Sequence, residues 1–331
     1  MPARLYRAKP LGLGARIRGI VSGLGCLALI GCDALPTGPS TTPQPRPPGL
    51  NAPTPKPINS ATPSAASEEL AFYYAKVQQS LKAQDLMRSD GGGVDTPFTK
   101  TNLAQNFEDI VFYQEYASNR GLELSDGESY GLQKWDKPIR FALEFGSTVP
   151  PKAQIHDTEI VRNYAKRLSK ISGHPVHISG NKPNFFILVM GEDDRERTLQ
   201  RALEISPLIN QISILNFMER TKTISCVIFT FSEGESDYTP DIALAIIRSE
   251  LPADMRKACY HEELAQGLGL ANDSPDARPS IFNDDEEFAL LTTHDEELLR
   301  LLYNPALTPG MSVEQARPIV NQILLSRAGP G

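Results

Sequence analysis

From Glu68 onward, apolar and polar positions fall into blocks whose period changes along the chain. Leu70, Tyr73, Tyr74, Val77, Leu81 and Leu86 recur every three or four residues, which predicts a helix over 68–87, ended by Gly91-Gly92-Gly93. Leu103, Phe107, Ile110, Val111 and Tyr113 predict a second amphipathic stretch before a turn-rich region to Gly131. The period then falls to two. Ile139, Phe141, Leu143 and Phe145 alternate as a half-buried strand does, behind Trp135-Asp136-Lys137-Pro138. Ile160, Val161, Tyr164, Leu168 and Ile171 predict a helix over 158–171, stopped by Ser172-Gly173. A short strand at 176–179, an apolar run at 184–190 and a helical stretch at 199–218, broken by Pro207, come next. Strand-like runs at 225–231 and 242–248 lead into a helix over 254–268. Strand, helix, strands and a helix on the last strand predict an α/β fold with a mixed sheet packed on helices.

The first 67 residues follow neither period. Arg4, Arg7, Lys9, Arg16 and Arg18 form a basic start with no acid, and Ile20 to Gly31 is apolar or small throughout, too short for an ordinary membrane-crossing helix. That is a signal peptide over 1–31. Its end, Leu29-Ile30-Gly31-Cys32, resembles a bacterial lipobox, which implies cleavage before Cys32 and a lipid on that cysteine. Asp33 resembles the inner-membrane retention signal of Gram-negative lipoproteins, so the expected location is the inner membrane, facing the periplasm. From Asp33 to Ser67, ten prolines interleave with Thr, Ser and Asn. Such a stretch buries too little to fold and favours an extended polyproline-II tether, ~100 Å long at ~3.1 Å per residue.

Charge and cysteine usage sharpen the picture. The net charge is −7, and without the basic leader 28 basic residues face 40 acidic ones, a net −12. That balance excludes nucleic acid as the main partner, because phosphate binding needs clustered Lys and Arg. With Cys26 removed and Cys32 acylated, Cys226 and Cys259 remain as an even pair in an oxidising compartment, so a disulfide is expected, with two buried thiols as the alternative.

The stretch Tyr260-His261-Glu262-Glu263-Leu264-Ala265-Gln266-Gly267-Leu268-Gly269-Leu270-Ala271-Asn272-Asp273 carries the candidate chemistry. In the zinc-peptidase motif H-E-x-x-H-x-x-G-x-x-H, two histidines share a helix face, a glycine allows the turn, and a third ligand arrives beyond it. With Gly269 on the motif's glycine, Glu262, Gln266 and Asn272 take the ligand positions, Glu263 takes the general-base position, and Asp273 follows. Pro279-Ser280-Ile281-Phe282-Asn283 stands where matrix-type metzincins turn beneath the metal, with Ile281 replacing the methionine. Residues 291–303 are similar to the metzincin closing helix, begun by a capping box of Thr293 and Glu296. The span from Tyr260 to Tyr303 thus resembles a degenerate metzincin. The whole chain resembles an uncharacterised family of secreted bacterial lipoproteins, a domain of unknown function, that carries an acid-acid-x-x-Gln version of the motif.

The resemblance implies a zincin-like domain over 135–326, behind a helical extension (68–134) and the lipidated tether (32–67), with turn and support roles for Gly269, Asp273 and Ile281. The donors change its chemistry. Glu, Gln and Asn offer oxygen only and a single charge, whereas zinc favours imidazole and thiolate. Without a metal to acidify water, Glu263 has no nucleophile to serve. No cofactor is expected, zinc included. The expected function is binding of an envelope protein or peptide by a membrane-tethered periplasmic lipoprotein; the alternative is a metal-dependent peptidase with Glu263 as general base. His261 reads as a capped or surface residue. The acidic runs Glu192-Asp193-Asp194 and Asp284-Asp285-Glu286-Glu287 read as solvated faces.

Overall fold

The computed structural model describes residues 6–8, 60–113, 129–207, 209, 211–219, 222, 224–232 and 236–327. The chain divides into one unit of residues 1–11 and 59–331 and another of residues 12–58, and every described residue belongs to the first. The leader apart from Tyr6–Ala8, the lipobox with Cys32 and Asp33, and the tether up to residue 59 lie outside the described residues.

Five strands make the body of a mixed sheet: β2 (Ile139–Phe145), β3 (Val176–Ile178), β4 (Phe185–Met190), β5 (Cys226–Phe231) and β6 (Ile242–Arg248), in the order β5-β6-β4-β2-β3. A three-residue strand, β1 (Tyr6–Ala8), runs parallel along the outer edge of β5. Strands β3, β2, β4 and β6 are parallel, and β5 is antiparallel to β6.

The burial pattern explains which strands alternate. Phe185, Ile187, Cys226, Ile228, Ala243 and Ala245 face one core, while Leu188, Val227, Phe229, Leu244 and Ile246 face a second core on the other side. A strand covered on both faces has no polar position to offer, hence the continuous apolar runs of β4, β5 and β6. β2 lies nearer the edge and keeps the period of two: its Glu144 is only partly buried and pairs with Arg201 at 2.7 Å.

Among the described residues eight helices complete the unit: α1 (Ala65–Ala83), α2 (Lys100–Phe112), α3 (Pro151–Ser172), α4 (Arg195–Ile205), α5 (Gln211–Glu219), α6 (Ala253–Gly267), α7 (Thr293–Leu302) and α8 (Val313–Ser326). Among the described residues, no helix is long and apolar enough to cross a membrane. Helices α4 and α5 cover the second core, and Pro207 falls between them as expected. The two helices of the expected extension, α1 and α2, put Leu70, Tyr74, Leu103, Phe107 and Ile110 into the same core as the sheet.

Helices α3, α7 and α8 each differ from the sequence expectation, and α1 ends at Ala83, before 87. Helix α3 starts seven residues earlier than 158, at Pro151 in its first turn; the residue that faces the core there, Asp157, is a fully buried acid that apolar periodicity does not register. The capping box of α7 is Thr292 with Asp295, one residue before the expected pair. Helix α8 was not expected: Ser312 caps it and Val313, Ala316, Val320 and Leu324 bury its face, but Pro318 interrupts the helical signal.

Candidate functional site

Helix α6 leaves the last strand and is buried on almost every side, eleven of its fifteen residues being out of solvent. A helix without a solvent face must pair its polar groups inside the protein. Arg256 forms a salt bridge at 2.9 Å with Asp157 of α3, which also accepts from Tyr260 Oη at 3.1 Å, and Arg256 donates to the Leu251 carbonyl. Burial and the neighbouring Asp157 push the Tyr260 phenol far above its ordinary pKa.

His261 is buried too, against the surface reading. Its ring stacks on Tyr164 at a centroid distance of 4.0 Å, and its Nδ1 accepts the Leu291 N–H at 3.1 Å. That bond assigns the proton to Nε2. Burial, with Arg167 and Lys257 nearby, lowers its pKa to about 3, so the ring is neutral at physiological pH.

The C-terminal end of α6 is stitched to its surroundings. Trp135 Nε1 donates to the Gly267 carbonyl at 2.8 Å, and Tyr303 Oη donates to the Leu268 carbonyl at 3.0 Å. Gly269 has φ +123°, and a Cβ there would lie 2.4 Å from the Gln133 carbonyl oxygen, so both conformation and space demand glycine. Beyond the turn, the N–H groups of Ala271 and Asn272 both reach the Ile110 carbonyl, and Asn272 Nδ2 donates to the Asp109 carbonyl at 2.9 Å. Asn272 is thereby committed to the end of α2.

Asp295, in the first turn of α7, holds the 280–282 turn. Its carboxylate accepts from Ser280 Oγ at 2.5 Å, from the Ile281 N–H at 3.1 Å and from the Thr292 N–H at 2.9 Å. Three donors on one buried carboxylate fix this turn beside α6.

The other flank of α6 borders a cleft of about 550 Å³ between α1, α6 and the loops at 273 and 281–289. Its floor carries the expected disulfide between Cys226 and Cys259, whose Cα atoms are 6.0 Å apart. Val77, Leu81, Met255, Ile281 and Phe288 supply apolar wall; Glu262, Asp273, Asp284, Asp285 and Glu286 supply carboxylates; among the described residues no Lys, Arg or His lines it. Two adjacent acids differ sharply. Glu287 is held by Arg278 and by Arg88, which keep its carboxyl below the usual range. Glu286 is pushed up to about 7 by burial and by repulsion from Asp284 and Asp285. It adopts a left-handed φ of 60°, and its carbonyl accepts from Met87, another non-glycine in that region at φ 59°. Two such residues bonded to each other at a cleft are an unusual concentration of backbone strain.

The expected site residues therefore separate. Glu262 (7 % exposed), Asp273 and Ile281 line the cleft. Glu263 (0 % exposed), Gln266 (1 % exposed) and Asn272 do not line it. The donors do not fit zinc: Glu262, Gln266 and Asn272 offer oxygen alone, and Glu262 lines the cleft whereas Gln266 and Asn272 do not. The acidic runs are not uniformly solvated faces either. Asp194 is buried and accepts from the N–H and Oγ of Ser147, both at 3.0 Å, and Glu286 turns inward. Reasoning from the sequence missed Asp157 and Asp295. A carboxylate three residues after Thr292 is a readable capping signal, whereas nothing local marks Asp157.

No curated protein and no solved structure matches the chain. A family model described as "Protein of unknown function (DUF2927)" matches residues 100–322, from the start of α2 into α8. With that match covering most of its length, the chain belongs to the DUF2927 family.

Proposed function

We propose that this protein is a tethered binding module of the bacterial envelope that captures an extended segment of another protein in the cleft beside α6. In this reading residues 1–31 are removed, lipidated Cys32 anchors the chain, Asp33 keeps it in the inner membrane, and the proline-rich tether holds the folded part in the periplasm. The domain is read as zincin-like, its cleft retained for binding without hydrolysis, since a fold and the chemistry grafted on it are separable. Support for this kinship lies in the element order: a mixed sheet, the motif helix following its last strand, a buttressed 280–282 turn and a closing helix.

The observation that carries the binding reading is the division of α6. Its cleft side offers about 550 Å³, within the range of about 300–1,000 Å³ typical of ligand sites. Glu263, the base of a peptidase, is fully buried and does not line that space. A general base must come within hydrogen-bond reach of the proton it takes, so this placement weighs against hydrolysis.

The test pairs the full chain with an Ala258→Phe variant, which fills the cleft from its α6 wall. Periplasmic peptides incubated with the full chain are expected to be captured and recovered intact, and the variant is expected to lose capture while melting as a folded protein. Chelator-sensitive peptide cleavage, or stoichiometric zinc in the purified protein, overturns the reading.

A further inference from the structure

We propose that the solvent face of α3 docks on the anionic phospholipid surface of the membrane that holds the protein; this rests on the anchored reading above and gives the anchored domain an orientation. Helix α3 turns Val161, Tyr164, Leu168 and Ile171 to the core. On the opposite side it exposes Lys152, Ile155, Arg162, Lys166 and Lys170. With 3.6 residues to the turn, these five fall within about a quarter of the helix circumference, along about 27 Å of its length. Glu159 is the one exposed acid among the described residues of α3. Among the described residues none of the four cations pairs with an acid, whereas Arg167, just off the stripe, is held by Glu296 at 2.9 Å. Ile155, in the same row, is 71 % exposed.

Three observations select this occupant. The chain enters the described fold at the start of α3: the Ala61 N–H donates to the Ser147 carbonyl at 2.9 Å, four residues before Pro151. The proline-rich segment of the anchored reading leads to that point, so the pull of the anchor reaches the fold beside this helix. The second observation is charge. Without its leader the chain carries a net −12, so an anionic surface repels most of it and attracts the basic row, a contrast that sets orientation. A Lys or Arg beside anionic headgroups strengthens association about fivefold, within a Debye length of about 8 Å, so a straight row lying flat brings all four into range. The third is Ile155, hydrocarbon set among cations whose own stems are apolar, the composition that suits a headgroup layer. An acidic polypeptide would match the charges but has no use for the isoleucine. Because the apolar face of α3 is committed to the core, the helix lies on the headgroups and does not enter the bilayer.

The test reconstitutes the full chain, purified from membranes in detergent, into vesicles of phosphatidylcholine alone or mixed with phosphatidylglycerol. An environment-sensitive dye on Asn163→Cys, beside the basic row, is read against one on Leu325→Cys of α8. Phosphatidylglycerol is expected to shift the first dye to the blue and leave the second unchanged, and about 0.5 M salt is expected to reverse the shift. Lys166→Gln with Lys170→Gln is expected to lower the ratio of docked to free protein about 25-fold at an unchanged melting temperature. Lys152→Gln with Arg162→Gln serves as a second pair should the first fail to fold. Equal dye spectra in the two kinds of vesicle, from protein that floats with both, overturn this inference and leave the anchored binding module standing. Flotation with phosphatidylglycerol vesicles alone keeps the docking face and overturns the anchor, and flotation with neither overturns both. Soluble polyglutamate that shifts the dye on phosphatidylcholine vesicles as far as phosphatidylglycerol does assigns the face to an acidic polypeptide and overturns lipid docking.

Discussion

The two flanks of α6 follow opposite rules. At the C-terminal turn the last two carbonyls are met from outside the helix: Trp135 and Tyr303 donate to Gly267 and Leu268, and Asn272 ties the following segment to α2. At the cleft, acids from three segments and apolar side chains line a space of about 550 Å³. The motif's ligand positions are divided between these regions, Glu262 with the cleft and Asn272 with the scaffold. Polar residues in a motif pattern therefore do not form one site merely because they share its spacing. Burial and hydrogen bonding on the stitched side favour rigidity, while the other side leaves open space.

The stitched region breaks most severely when Asp157 is lost. Asp157→Ala strands the buried Arg256 and leaves Tyr260 without its acceptor, which is expected to cost about 3–5 kcal/mol in urea unfolding. A cost below about 1 kcal/mol would mean that α6 tolerates a loose contact with α3. Gly269→Ala places a methyl group against the Gln133 carbonyl at a positive φ and is expected to cost about 3 kcal/mol by the same measurement. Replacing both Cys226 and Cys259 by Ser removes a bridge of sequence separation 33, with an expected loss of about 2–4 kcal/mol and a matching fall in melting temperature.

The cleft side gives a pH signature of smaller size. Glu286 stands at about 7 in the fold against an ordinary 4.5, so between those values the folded protein holds a proton that the unfolded chain has released. Its contribution to stability is fully present below about pH 4.5 and is lost as pH rises through about 7. Thermal melts from pH 4.5 to 8 are expected to show a decline of up to about 3 kcal/mol that Glu286→Gln removes. An unchanged slope in the variant would show that Glu286 is not the group under strain.

Much of the sheet was legible because periodicity and burial report the same thing. The alternation of β2 and the uniform runs of β4, β5 and β6 gave their positions nearly to the residue, as a two-faced sheet with one half-open strand requires. The pairing of Cys226 with Cys259 was legible by counting. What the sequence hid were buried charges. Asp157 carries no apolar signal, so the predicted start of α3 came late; His261 read as capped or surface although Tyr164 and the Leu291 amide enclose it; Glu286 read as one more acid in a solvated run. Partners of Asp157 and His261 come from 30 to 103 residues away, so no local spacing announces them. The motif alignment singled out Gly269, which the structure holds at φ +123°, and Ile281, whose N–H the Asp295 carboxylate accepts, yet it could not divide scaffold from cleft, since that division depends on α1 and α2 packing on either side.

Backbone and methyl NMR of the full chain titrated with a captured periplasmic peptide tests the division of α6 most directly. Shifts concentrated at Glu262, Asp273 and Glu286 and at the methyl groups of Met87 and Met255, with Glu263, Gln266 and Asn272 unmoved, are the expected result. Shifts centred on Gln266 and Asn272, with the cleft silent, would contradict it.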